Sequence, residues 1–384
     1  MHPTASSHSP LTSSSTLLIV LLSSCQLQPD VEQKSLDCAR ETVSPSGSGL
    51  SSASPVQKLS QTCLYADIER QLISPQLRRF TPNYQLWSDG ANKTRWIYLP
   101  PGSQIDTRDP DHWRFPVGTQ IFKEFRQARR ADKGDSSTGD TPADDFSADG
   151  FPADEIRVET RHLTKISDAR GYLAWSIATY AWQPDQRDAQ LLLKGARQVL
   201  GTRHNIPSKK DCITCHKGNR DFILGFEALQ LSDAQAPNAF GHGPKRLKKD
   251  PRGSPEWTLQ SLLDANRLSH AIAQPTLPGN KIEQQALGYM HANCGNCHNP
   301  RGHAADRDAE HLKLRHQLGM QRLEDTDVYR TSVNQPTQNF TLVPYIAMGA
   351  AYEEMAIHKS AVFVRMNSTD EDYRMPAVGR VQVD

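Results

Sequence analysis

The sequence predicts a multidomain β + α chain, with an N-terminal antiparallel β-sandwich-like domain followed by two mostly α-helical modules. Three observations carry this expectation. Between residues 75 and 203, short runs rich in aromatic and β-branched residues alternate apolar with polar positions and are punctuated by turn signals. From Pro207 onward the apolar spacing shifts towards the pattern of helices. The pentapeptide Cys-x-x-Cys-His also occurs twice in this second half, at Cys212–His216 and at Cys294–His298.

The elements follow in chain order. Thr16–Leu22 is a short apolar core followed by Leu22-Ser23-Ser24-Cys25, small residues before a cysteine, as in a bacterial lipoprotein cleavage box. Residues 1–25 therefore read as a lipoprotein signal peptide that leaves Cys25 as a lipid-bearing N-terminus. The run is too short to span a bilayer. It departs from the usual pattern in having no Lys or Arg before it, the first being Lys34. Residues 26–74 read as a Ser/Pro-rich tether, centred on Ser44–Gly49.

In the β domain, residues 75–203, strands are expected at Arg95–Leu99, before the turn Pro100-Pro101-Gly102, and at Thr119–Phe125. Two more are expected at Ile156–Leu163 and Tyr172–Trp182, and residues 131–154, acidic and poor in apolar side chains, read as an exposed disordered insertion between them. In residues 204–283 a helix is expected within Trp257–Ile272, where Leu259, Leu262, Leu263 and Leu268 are spaced for one and Pro255 marks its start. In residues 284–384 the run Gln284–His291 leads as a helix into the second pentapeptide, with Leu287, Met290 and His291 on one face.

Cys-x-x-Cys-His is the attachment signature of a c-type haem. The thiols add across the porphyrin vinyl groups, and the following imidazole binds the iron as proximal ligand. Cys212, Cys215, Cys294 and Cys297 are thus the expected attachment residues, with His216 and His298 as iron ligands. A structural zinc site is the competing reading of two Cys-x-x-Cys pairs. Zinc ribbons space their pairs by about 15–20 residues, whereas 78 residues separate Cys215 from Cys294. No strand–motif–helix unit surrounds either pair, as a thioredoxin-like site requires.

The seven cysteines then sort without remainder. Cys25 takes lipid, four take haem, and Cys38 and Cys63 are left as a pair able to form a disulfide in an oxidising compartment. Covalent haem attachment in bacteria takes place outside the cytoplasm, which agrees with an export signal. The expected location is the periplasm, with a lipid anchor to the outer membrane because Gln26, not Asp, follows Cys25. A formal net charge of +1 argues against a general nucleic-acid binder.

Several stretches are similar to a bacterial group of dihaem c-type cytochromes. Tyr84–Arg95 with Tyr98–Gly102, Phe115–Thr119, Glu159–Arg161 and Tyr180–Trp182 match its N-terminal domain. Ile206–Ser208, Leu224–Glu227, Tyr289–Cys294 and Arg374–Arg380 match the haem-bearing part, so the resemblance spans residues 75–384. It implies two covalently bound haem c groups in cytochrome c-like modules, and says more about cofactor than about physiological role. It also implies a closing C-terminal helix. The chain stops at Asp384, nine residues after Met375, so the second module is expected to be C-terminally truncated.

Met375, in Arg374-Met375-Pro376, is the expected distal ligand of the second haem, with Met366 as runner-up. The first haem's sixth ligand is open among His204, His242, His270, His291 and Met290, or the position is vacant. His291 is equally suited to a hydrogen-bonding role. His303, His311, His316 and His358 are expected on the surface. The function expected is electron transfer with redox partner proteins. The alternative is a dihaem peroxidase-like oxidoreductase with an open position on the first haem, for which Glu227 and His242 are the acid–base candidates. Trp87, Trp96, Trp113, Trp175 and Trp182 could line a binding face, though a β core accounts for them more simply.

Overall fold

The computed structural model describes residues 54–128, 155–169, 171–234, 253–305, 311–340, 342–347, 358–377, 380 and 382–383. Cys25, Cys38, His242 and the insertion 131–154 lie outside these residues. Cys63 is disulfide-bonded, and its partner also lies outside them, since the four cysteines of the pentapeptides are free.

The centre of the molecule is one six-stranded antiparallel sheet in which chain neighbours are also spatial neighbours. Its strands are β3 (Arg78–Arg79), β4 (Asn92–Tyr98), β5 (Gln120–Ala128), β6 (Glu155–Lys165), β7 (Trp175–Trp182) and β8 (Ala189–Leu191). The four long strands lie where alternation placed them. β7 starts three residues later than expected because Gly171–Ala174 forms a 3₁₀ turn first, Gly171 having φ +67°.

Both faces of this sheet are covered, by different material. On one face Trp96, Phe122 and Ala178 share a cross-strand row, and Tyr180 lies in the next. These pack against Leu59, Leu64, Tyr65 and Leu77 from the chain ahead of β3. That chain holds a two-stranded hairpin, β1 (Tyr65–Asp67) and β2 (Leu72–Ile73). The folded body therefore takes in the last part of the stretch read as a tether, and Leu59 and Leu64 are wholly buried. The polar surroundings of those two leucines concealed them.

On the other face, Ile97, Ile121, Leu163 and Ile177 form a row that merges with Phe222, Phe226, Trp257 and Leu259 of the second half into one core. The rings of Phe80 and Phe226 meet edge to face at 4.8 Å across this seam. Trp96, Trp113, Trp175 and Trp182 are buried core residues.

The expected sandwich is corrected by this arrangement. The second sheet is only the β1–β2 hairpin, and the opposite face is closed by the second half of the chain. Two mostly helical modules are not seen either. Among the described residues the helices are α1 (Lys209–His216), α2 (Ala228–Leu231), α3 (Leu259–Asp264), α4 (Lys281–Asn293), α5 (Asp327–Ser332) and α6 (Ala361–Met366). Only α4, with 13 residues, exceeds eight. Helices stop early because breakers follow: Gly218-Asn219 after α1, and Asn299-Pro300 with Gly302 after the second pentapeptide. α3 occupies only part of Trp257–Ile272 and starts at a Thr258 cap. No helix among the described residues is long and apolar enough to cross a membrane.

Candidate functional site

The first pentapeptide lies in α1. Ser208 caps this helix, accepting from the backbone N–H of Asp211 while Asp211 Oδ2 accepts from Ser208 N at 2.9 Å. The segment after α1 is pinned to the sheet. Buried Lys165, at the end of β6, donates to both oxygens of Asp221 at 2.6 Å, and Asp221 also accepts from Phe115 N–H at 2.6 Å. Phe222, at φ +67°, then turns its carbonyl onto His216, whose Nδ1–H donates to it at 2.6 Å. A carbonyl can only accept, so this bond fixes the tautomer and leaves Nε2 with the free lone pair. Burial lowers the His216 pKa to about 4, against a smaller opposite push from the Phe222 carbonyl, so the ring is neutral at neutral pH.

The second pentapeptide is carried differently. α4 ends at Asn293 and Cys294 is its cap, so these thiols sit on the turn beyond the helix. His298 is largely buried, and its Nδ1 has no hydrogen-bond partner among the described residues. Its pKa is lowered to about 4, by burial first and then by Arg365 and His311.

The fold brings the two pentapeptides into contact. The Cys215 thiol hydrogen-bonds to Cys297, which raises the Cys215 pKa and lowers that of Cys297. Gly218, two residues past His216, approaches the second motif so closely that a Cβ there would lie 2.0 Å from the Asn296 carbonyl oxygen. No three His, Cys, Asp or Glu side chains among the described residues converge as a set of metal ligands, so the four thiols are not gathered into a zinc site.

His216 lines a cavity of about 70 Å³ between the sheet and the second half of the chain. Its apolar wall includes Phe80, Pro82, Leu86, Ile121, Leu163 and Ile223. Its charged wall is a cross-strand row in exact register terms: Arg95 pairs with Lys123, and Lys123 with Arg161. Like charges directly opposed across strands destabilise a sheet. Burial holds Lys123 well below the usual lysine range, and Arg95, Arg161 and Lys93 push it further down. Burial likewise lowers Arg95 to about 10, assisted by Arg79. Arg161 alone has a carboxylate: its Nη2 and Nε donate to Glu159 at 2.6 and 3.0 Å. Glu159 Oε1 also accepts from His204 Nε2 at 2.7 Å.

The cavity also takes in Glu227 and His291. His291 Nε2–H donates to Glu227 Oε1 at 2.5 Å, and Arg315 Nη2 donates to Glu227 Oε2. Burial alone would raise the Glu227 pKa, but Arg315 and His291 outweigh it and bring the carboxyl to about 2. His291 Nδ1 is buried with no hydrogen-bond partner among the described residues. One cavity thus holds a neutral imidazole with a free lone pair, a carboxylate–imidazole pair and three cations.

The other expected ligands fall as follows. His204 is buried but spends Nε2 on Glu159. His270 is exposed, and Met290 packs at the edge of the cluster around Leu287 and Leu314. Met375 is half-buried and donates its N–H to the Arg365 carbonyl at 2.9 Å, so Met375 and His298 share Arg365 as a neighbour. Met366, the last residue of α6, is half-buried as well.

One expectation is overturned. His316, read as a surface residue, is 2% exposed, and neither ring nitrogen has a hydrogen-bond partner among the described residues. Leu312, Leu314, His316 and Leu318 alternate along an extended segment, and that period-two stripe is the signal that marks the histidine as inward-facing. Neither a protein-family description, nor a curated protein, nor a solved structure matches this chain.

Proposed function

We propose that the chain is a periplasmic dihaem c-type cytochrome acting in electron transfer with redox partner proteins. It is held to the outer membrane by lipid on Cys25 and carries two cytochrome c-like haem sites. The observation that carries this reading is the contact of the two pentapeptides through Cys215 and Cys297. Two attachment signatures placed side by side suit a pair of adjoining redox groups better than two independent binding sites.

Cys212 and Cys215 would tether the first haem and Cys294 and Cys297 the second, with His216 and His298 as proximal ligands and Met375 as distal ligand of the second. When bound, haem iron supplies one-electron exchange between its ferric and ferrous states. The residues around the first site fit such a group. The Phe222 carbonyl holds His216 in the tautomer a ligand needs, and the cavity wall beside it is mainly apolar.

A second reading has its own support. Glu227 and His291 line the same cavity as His216, and a hydrogen-bonded carboxylate–imidazole pair can hold and release a proton there. That arrangement suits a peroxidase-like oxidoreductase with an open position on the first haem.

The test begins with protein made in a host able to mature c-type cytochromes. Two haems retained after denaturation are expected, and their absence ends both readings. Absorption spectra of the reduced protein with and without carbon monoxide then separate them. Two low-spin haems indifferent to the gas support electron transfer. A high-spin haem that binds it, with binding altered in Glu227→Gln, supports the oxidoreductase.

A further inference from the structure

We propose that the cross-strand row Arg95–Lys123–Arg161 is a carboxylate clamp that receives the two propionates of the haem tethered at Cys212 and Cys215. The inference rests on the haem reading above but goes beyond it, because nothing in the pentapeptide requires the sheet to take part.

Charge accounting within the cavity leads to it. The row places three cations in direct register on one face of the sheet, all lining the cavity with His216. The carboxylates within reach are already engaged. Both oxygens of Glu159 are taken by Arg161, and one is shared with His204. Both oxygens of Glu227 are taken by His291 and Arg315. Glu256, which also acts on Arg95, is ion-paired with Arg79 at 2.9 Å, so among the described residues the row's three cations face the single free-standing carboxylate of Glu159.

The unbalanced charge sits on identifiable atoms. Arg95 Nη1 is buried without a hydrogen-bond partner among the described residues. Lys123 Nζ makes no hydrogen bond to a described residue and rests 4.7 Å from the centre of the Phe125 ring. Removing charged groups from water without a partner costs several kcal/mol per ion, of order 3–5 when one partner of a buried pair is missing. An anion in the cavity would complete such a row and offset that cost. A porphyrin bears two carboxylates on one edge, which matches the two unbalanced charges. Guanidinium groups bind carboxylates through parallel hydrogen bonds, which suits Arg95 and Arg161 to that edge. Arg161 is also close enough to Cys212 and Cys215 to feel their charge, so the clamp and the tether serve one cavity.

The test uses the mature protein. Retention of two haems after denaturation examines the underlying reading by itself. If both are retained, redox titration examines the clamp. A buried cation favours the reduced iron, so Lys123→Met is expected to lower the midpoint potential of one haem and leave the other unchanged. Lys123→Arg is expected to restore it, and Lys194→Met, which removes an exposed charge, to move neither. Equal small shifts in Lys123→Met and Lys194→Met would overturn the proposal. A potential that follows the phosphate concentration of the buffer would also overturn it, since the clamp would then hold a diffusible anion. A measurement on the unaltered protein guards against a variant that fails to fold. With ¹³C at the propionate carboxyls, redox-difference infrared spectra should show an ion-paired carboxylate, and bands of solvated carboxylate alone would refute the clamp.

Discussion

The two Cys-x-x-Cys-His segments share a pentapeptide but not a setting. The first lies within a helix backed by the sheet, and a backbone carbonyl 2.6 Å away orients its histidine. The second lies on the turn beyond α4 and leans on the first motif and on the segment around Leu314, whose N–H donates to the His298 carbonyl at 2.8 Å. The difference teaches that a shared pentapeptide does not fix its own surroundings. Ring orientation, local charge and access come from what the rest of the chain lays against it. Glu227 joins the two settings, reaching from the segment behind the first motif to His291 in the helix of the second and to Arg315 beyond it.

The strongest way to break the comparison is therefore Glu227→Gln. It leaves buried Arg315 without its carboxylate and is expected to cost about 3–5 kcal/mol in chemical denaturation at neutral pH. Because the folded Glu227 pKa is about 2, against an ordinary 4.5, its stabilisation is complete above the ordinary value and is lost as pH falls towards about 2. Stabilities of the two proteins should converge across that window, and parallel curves would refute the assignment. Next, Gly218→Ala places a Cβ 2.0 Å from the Asn296 carbonyl oxygen and forces the motifs apart. A loss of about 2–3 kcal/mol is expected, and an unchanged unfolding midpoint would show that the contact gives way freely.

Met375→Ala sharpens the contrast by addressing the second site alone. It should open one haem to carbon monoxide and lower its potential without altering the other; an unchanged spectrum removes Met375 as a ligand. The smallest effects belong to the caps. Ser208→Ala and Asn280→Ala each remove the side chain that caps the helix leading into a motif. Each is expected to cost about 1 kcal/mol, as read by thermal melting.

Much of this organisation was legible in the sequence. β4 to β7 follow from alternation, the body of α4 from the spacing of Leu287, Met290 and His291, and the burial of Trp96, Trp175 and Trp182 from their place in the strands. The hairpin β1–β2 was not legible, because strands of three and two residues carry no period. The clamp was hidden for a different reason. Arg95, Lys123 and Arg161 share the strand phase of Ile97, Ile121 and Leu163, so they are charged residues interrupting an apolar face. Only the register shows that the three residues stand side by side. His316 escaped notice because a histidine carries no hydropathy signal of its own, although the leucines around it do.

The strand order has a consequence for biogenesis. Every pairing in the central sheet joins neighbours in sequence, and the last is complete at Leu191, before Cys212 or Cys294 has been synthesised. Pairings between sequence neighbours carry a lower loop-closure cost than pairings between distant segments. The wall of the first pocket can thus form from the sheet alone, ahead of the residues that supply its floor.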